Sequence, residues 1–212
     1  MGERAVHPWW GRLLLLAFGI LDIAAVVWTA THLRPAVAGN AVVNFFSYFT
    51  IQSNLLAIAV LLIVALRDPQ GIGWQRVRGA GTLYICITGV VYTLLLQNID
   101  VDIAYPWTNN VLHRITPLVL FVDWLLVPVA LGVSARLISI WLAYPIAYGV
   151  YTLIRGPIAD WYPYPFIDPR TQGYLSMAIG LVVLVIAFVI LAVAVIALGE
   201  LAARWRERRR AA

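Results

Sequence analysis

Lysine is absent from this chain, and all fifteen basic residues are arginine. Such one-sided usage points to codon bias in a GC-rich, bacterial genome. Cysteine is nearly absent too. Cys86 stands alone in an apolar stretch, which excludes an intrachain disulfide framework and any multi-cysteine metal site. Charge is also scarce. Only 12% of the 212 residues are charged and 62% are hydrophobic, whereas a soluble domain carries about 25% charged and about half apolar residues. That balance excludes a fold that stands alone in water. The net charge of +5 does not point to nucleic acid, because the arginines border apolar segments, as the positive-inside rule expects.

What the chain has instead is long apolar runs. A bilayer core needs about 20 apolar residues per helix, and six stretches qualify: 13–31, 44–66, 79–96, 110–131, 137–154 and 174–199. The expected fold is an all-α membrane protein, one domain over residues 1–212, built as a six-transmembrane-helix bundle. Short connections make consecutive helices antiparallel neighbours. A small-residue triplet at 36–38 follows the first run, but that run is longer than the h-region of a signal peptide, so it is read as a retained helix. No internal repeat is visible.

The arginines give the orientation. Arg4, Arg12, Arg67, Arg76, Arg78, Arg136, Arg204, Arg206, Arg208, Arg209 and Arg210 fall on one side of this topology. Arg34, Arg155 and Arg170 fall on the other, with Arg114 just inside the fourth segment and Asp100 and Asp102 in the third loop. The arginine-rich side is therefore expected to be cytoplasmic, with both termini inside and the chain in a bacterial cytoplasmic membrane. Trp9 and Trp10 mark the inner boundary, and Trp107, Trp161 and Tyr162 the outer one.

Polar residues at membrane depth are costly, which makes each a functional candidate. The first segment holds Asp22, the second Ser47, Thr50, Gln52, Ser53 and Asn54, and the fourth His113, Arg114, Thr116 and Asp123. The third and sixth hold almost nothing comparable and are expected to face lipid or support packing. Segments two and four run the same way, so a rise of about 1.5 Å per residue puts Thr50 and His113 at similar depth near the outer boundary. Ser47, Thr50 and Asn54 share a helical face by spacing, as do His113, Thr116, Leu120 and Asp123. Facing each other, they would enclose a polar pocket. A hydroxyl beside an imidazole is the minimum for nucleophilic acyl transfer, although a membrane threonine more often bonds its own backbone or glues helices. Asp123 lies too far along its helix to orient His113. It and Asp22 are expected to pair with a buried donor or stay protonated. Arg114 can snorkel or clamp a carboxylate. The proline-rich and aromatic loop 155–173 has too many prolines for a regular helix and reads as an interfacial cap or a lid over the pocket.

Three segments together carry a resemblance. They are Ser47-Tyr48-Phe49-Thr50-Ile51, Asn109-Asn110-Val111-Leu112-His113 with Pro117 beyond it, and Trp161-Tyr162-Pro163-Tyr164-Pro165-Phe166. In these the chain resembles the family of the androgen-induced gene protein and the androgen-dependent regulator of tissue factor pathway inhibitor, and more closely that family's bacterial six-transmembrane relatives. The eukaryotic members are multi-pass threonine hydrolases that cleave fatty acid esters of hydroxy fatty acids. The resemblance implies Thr50 as nucleophile and His113 as its base. Where the family has a first histidine, this chain has Asn109.

The implied function is a membrane-embedded lipid ester hydrolase with a Thr50–His113 dyad. Its substrate-binding candidates are Ser47, Asn54, Asn110, Arg114, Trp161 and Tyr164, and its substrate comes from the bilayer. It requires no metal or organic cofactor and no nucleic acid. The alternatives are a non-enzymatic lipid-binding or transport protein using the same pocket, with Asp22 and Asp123 as a proton relay, and a haem held by His32 and His113.

Overall fold

The computed structural model describes residues 6–32, 41–98 and 105–211. Arg4, Arg34, Asp100, Asp102 and the triplet 36–38 lie outside the described residues. The described residues are all-helical, with no strand among them. In order they form α1 (Trp9–Thr31), α2 (Ala41–Phe46), α3 (Phe49–Arg67) and α4 (Ile72–Val91), which runs on into a π turn at Tyr92–Leu96. Then come α5 (Pro106–Asn110), a second π turn at Val111–Ile115 and α6 (Thr116–Leu126), followed by α7 (Ala135–Ala159), α8 (Pro169–Gln172) and α9 (Tyr174–Ala211). Five of these helical stretches are long and apolar enough to cross a membrane: Trp9–Thr31, Phe49–Arg67, Ile72–Leu96, Ala135–Ala159 and Tyr174–Arg210.

The chain divides into two compact units, Met1–Gly132 with Val195–Ala212, and Val133–Ala194. In the first, α3 is the central helix. Arg12 at the start of α1 donates to the carbonyls of Ala65 and Leu66 at the end of α3, so α1 and α3 run antiparallel. Small residues let the helices close up, as membrane packing favours. A Cβ on Gly19 would lie 3.1 Å from Leu62, and one on Gly81 would lie 2.9 Å from Val60. Leu15, Ala57, Leu61, Val64, Ile85 and Leu120 fill the core between them.

A polar knot closes one end of this unit. The His7 ring bridges Asp68 (Nδ1–Oδ1, 2.7 Å) and Asp123 (Nε2–Oδ1, 2.9 Å). Arg78 donates to Asp123 at 2.9 Å, to Gln75 at 3.0 Å and to the Val127 carbonyl. Its guanidinium lies 5.0 Å from the centre of the Trp124 ring. The Trp124 indole in turn donates to the Val195 carbonyl of α9 at 2.8 Å. Arg78 is only 1% exposed. It is therefore not the loop arginine that the charge count implied.

Several boundaries differ from the periodicity reading. Residues 44–66 do not form one helix. The chain breaks at Ser47–Tyr48, where Tyr48 is extended (φ −75°, ψ 130°), and the Gln52 amide donates across the break to the Phe46 carbonyl at 2.8 Å. The third segment starts seven residues earlier than expected, at Ile72. Gln75, Arg78, Thr82 and Thr88 of this helix are all buried, as a segment that supports packing requires. Helix α7 passes through Pro145 and Pro157 to end at Ala159, because a proline costs one backbone bond and a bend rather than the whole helix. Helix α9 continues beyond 199 through the arginine tail to Ala211.

In the second unit, the segment after α7 is folded against itself. The Tyr162 ring lies over Gly156, where a Cβ would come within 2.1 Å of it. Arg170 covers the Tyr162 ring at 5.1 Å. It also bonds Asp160 and donates to Asp168 at 2.7 Å. These hydrogen bonds from Arg170 hold the Asp168 carboxyl below the usual carboxylate range. A depressed carboxyl stabilises the fold above its ordinary pKa, and that contribution is lost as pH falls through the depressed value. Hydrogen exchange in residues 160–173 should stay slow at mildly acid pH and quicken only on stronger acidification. In Arg170→Gln it should quicken at a higher pH. Equal pH dependence in both proteins would contradict this.

Candidate functional site

Helix α3 places Thr50 in its first turn, at the positive end of the helix dipole. The Thr50 side chain faces the π turn Val111–Ile115, and its Oγ1 lies 3.3 Å from His113 Nε2. Thr50 is 8% exposed and His113 is half-buried. The His113 Nδ1 atom faces the Asn109 carbonyl at 3.2 Å. A carbonyl oxygen can only accept, so this bond fixes the neutral tautomer with the proton on Nδ1. It leaves the Nε2 lone pair toward the Thr50 hydroxyl.

The π turn has a local cause. Pro117 has no N–H, so a helix reaching it must leave a carbonyl without its backbone donor. In π spacing that carbonyl belongs to Leu112, and the Asn54 amide supplies the missing donor at 3.2 Å. Asn54 also donates to the Thr50 carbonyl at 2.7 Å. It is fully buried, and its Oδ1 has no hydrogen-bond partner among the described residues. One side chain thus ties the Thr50 backbone to the turn that carries His113. Helix α4 approaches from the other side through Gly89. A Cβ there would lie 3.2 Å from the His113 carbonyl and 3.1 Å from Pro117. This approach brings the Tyr92 ring onto the imidazole, with centroids 4.2 Å apart and planes 27° apart. Both π turns among the described residues therefore flank this site, as π insertions often do.

The other expected site residues are distributed differently. Asn110 and Arg114 are exposed beside the dyad, where Arg114 donates to Asn110 Oδ1 at 2.8 Å and lies 5.7 Å from the centre of the Tyr92 ring. Ser47 does not share a helical face with Thr50, because the break at Ser47–Tyr48 intervenes. Its hydroxyl donates to the Val43 carbonyl of α2 at 2.7 Å. Trp161 and Tyr164 belong to the second unit. There Arg155 covers the Trp161 ring at 5.2 Å and Tyr164 stacks on Phe166 at 5.2 Å. The two carboxyls part ways. Asp123 belongs to the polar knot. Asp22 is fully buried beside the Thr116 side chain, with no ion-pair partner among the described residues. His32 stacks on Trp28 at 4.1 Å, and its Nδ1 faces the Trp28 carbonyl at 3.0 Å.

Sequence reasoning passed over His7, Tyr92 and the burial of Arg78. His7 precedes the first apolar run and carries no periodic signal. Tyr92 looks like one more aromatic in an apolar helix. Arg78 has a cue, since Gln75, Arg78 and Thr82 recur at helical spacing ahead of an apolar run.

The fold and site define an all-helical protein with several helices long and apolar enough to cross a membrane and a threonine–histidine pair within one helical unit. Comparison with family models, with curated proteins and with solved structures returns no match.

Proposed function

We propose that this protein is a membrane-embedded lipid ester hydrolase with Thr50 as nucleophile and His113 as general base. The observation that carries this reading is the 3.3 Å approach of Thr50 Oγ1 to His113 Nε2, within the looseness of resting active sites. Thr50 Oγ1 bonds to the ester carbonyl carbon as its proton passes to His113 Nε2. The ester C–O bond then breaks, and the imidazolium returns that proton to the leaving alkoxide. Water next gives a proton to His113 and attacks the acyl carbon. The acyl–Oγ1 bond breaks, and Thr50 regains its proton. The positive end of α3 favours the negative charge that develops beside Oγ1.

The substrate class is a lipid ester with a free carboxylate, of the fatty acid ester of hydroxy fatty acid kind. Arg114, exposed beside the dyad, is the cation available to hold that carboxylate, with Asn110 orienting it. Trp161 and Tyr164 serve as interfacial anchors. A fluorophosphonate probe should label the purified protein and fail to label Thr50→Ala. Labelling that survives the substitution would show that another residue is the nucleophile.

Six spans with both termini cytoplasmic fit this reading. The unbroken helical run 106–126 is about 31 Å long at 1.5 Å per residue, which matches a hydrocarbon core of about 30 Å. It would add a sixth crossing. The two topologies differ in parity: five crossings put the termini on opposite sides, and six put them on the same side. In a Cys86→Ser background, single cysteines at Gln70 and Ala212 should label only from the cytoplasmic side and one at Trp107 only from outside. Opposite labelling of Gln70 and Ala212 would rule out the six-span arrangement.

A further inference from the structure

Among the described residues, the Thr50–His113 pair has no carboxylate as the third member that an acyl-transfer dyad usually has. In serine hydrolases a carboxylate behind the imidazole holds its tautomer and stabilises the imidazolium that forms. Here the atom behind the ring is a neutral backbone oxygen, that of Asn109 at 3.2 Å. That oxygen sets the tautomer but supplies no charge. The Arg114 guanidinium, next in sequence, would oppose a second positive charge. What faces the imidazole instead is the Tyr92 ring, stacked at 4.2 Å with a 27° interplanar angle.

We propose that Tyr92 is the positioning residue that replaces the carboxylate, making a Thr50–His113–Tyr92 triad whose third member acts through its π face. This rests on the hydrolase reading of the same site. An aromatic face carries negative charge density and attracts a cation lying over it, more strongly where water is excluded. Tyr92 is 5% exposed, so its face meets the imidazole with little water between. As His113 takes the Thr50 proton, the ring gains an attraction absent in the resting state. An interaction made only then lowers the barrier rather than the substrate's binding energy.

The ring is also held in place. Asn109 Nδ2 donates to the Tyr92 hydroxyl at 2.5 Å, while the carbonyl of the same residue accepts from His113 Nδ1. One residue thus bonds both rings of the stack. The Gly89 approach described above sets the spacing, since Tyr92 lies three residues further along the same helical stretch. The chain puts asparagine where the resembled family has a histidine, and this asparagine links base and tyrosine.

Tyr92→Phe and Tyr92→Leu separate the ring face from the hydroxyl. With hydrolysis of a hydroxy-fatty-acid ester as assay, Tyr92→Leu should lower kcat about 10- to 100-fold, with KM within about twofold of the parent, as expected for an interaction made only in the transition state. Tyr92→Phe, which keeps the π face, should keep kcat within about threefold of the parent. In parallel, ¹⁵N spectra of His113 should show one neutral tautomer in the parent and in Tyr92→Phe. Tyr92→Leu removes the stacked ring that keeps the imidazole aimed at the Asn109 carbonyl, so it should give a mixture of tautomers. Thermal unfolding identifies a variant that has simply lost its fold. In that case Tyr92→Met, a softer filler of the same space, takes the place of Tyr92→Leu. A Leu or Met variant with parental kcat and a single tautomer overturns the proposal, and so does a Phe variant as impaired as Leu. If the parent protein hydrolyses nothing, the hydrolase reading fails. The spectra then decide the stack on its own terms, and an unchanged tautomer in Tyr92→Leu overturns it.

Discussion

Thr50→Ala and His113→Ala are each expected to reduce ester hydrolysis by at least about 1,000-fold, and the double variant should lose little more than either alone. Nucleophile and base act as one unit, so removing either removes the covalent route, and their effects do not add. Thr50→Ser keeps a hydroxyl in place and should retain measurable turnover. His113→Gln keeps a polar side chain but loses a base of suitable strength, and it should fall with His113→Ala. The measurement is release of free fatty acid by purified protein in detergent or nanodiscs. Full activity in both alanine variants would remove the dyad from the mechanism. Multiplicative losses in the double variant would mean that the two side chains act separately. Asn54→Leu should fall between these cases. It leaves the hydroxyl and the imidazole intact but removes the donor that the Leu112 carbonyl needs, which loosens the turn carrying the base.

The second large effect concerns stability. Arg78→Met is expected to destabilise the first unit by about 3–5 kcal/mol, the usual cost of breaking a buried ion pair from one side. The substitution leaves Asp123 bonded to His7 without the guanidinium and strands Gln75 Oε1 and the Val127 carbonyl. Arg78→Lys keeps the charge but cannot reach three acceptors in a plane, so it should recover only part of the loss. Combining Arg78→Met with Asp123→Asn should cost less than the sum of the two, because the second change removes the charge that the first left unpaired. Unfolding in detergent, followed by tryptophan fluorescence, reads all three. The knot and the dyad lie at opposite ends of α3, with Thr50 and Asp68 about 27 Å apart along its axis. The folded fraction of Arg78→Met should therefore keep its kcat. Strictly additive losses, or a kcat that falls with stability, would contradict this account.

Both predictions depend on facts that the sequence displayed unequally. Thr50 and His113 could be paired in advance because helix direction and rise place them at one depth, and those are properties of any helix. Ser47 could not be placed that way, because the break before α3 carries neither proline nor glycine. It is held by hydrogen bonds, such as Gln52 to Phe46, that no periodicity records. The early start of the third segment, at Ile72, was hidden for a related reason. Hydropathy counts polar residues and does not say where their partners are. Arg78 looks like a loop arginine until Asp123, 45 positions away, is brought against it.

The sequence by itself determined that the chain is helical and has segments able to cross a membrane. Scarce charge and apolar runs of the right length leave the backbone few other ways to satisfy its hydrogen bonds away from water. It also singled out several of the polar side chains that lie within apolar segments, Asp22, Thr50, His113 and Asp123 among them. Only the tertiary structure decided how they sort: Asp123 into a hydrogen-bonded knot with His7 and Arg78, Asp22 beside Thr116, and Thr50 against His113 under Tyr92. These pairings join residues that lie far apart in sequence. They depend on which small residues let helices close up and on which side chain meets the carbonyl left open before Pro117, and both are settled only when the helices of the first unit pack together.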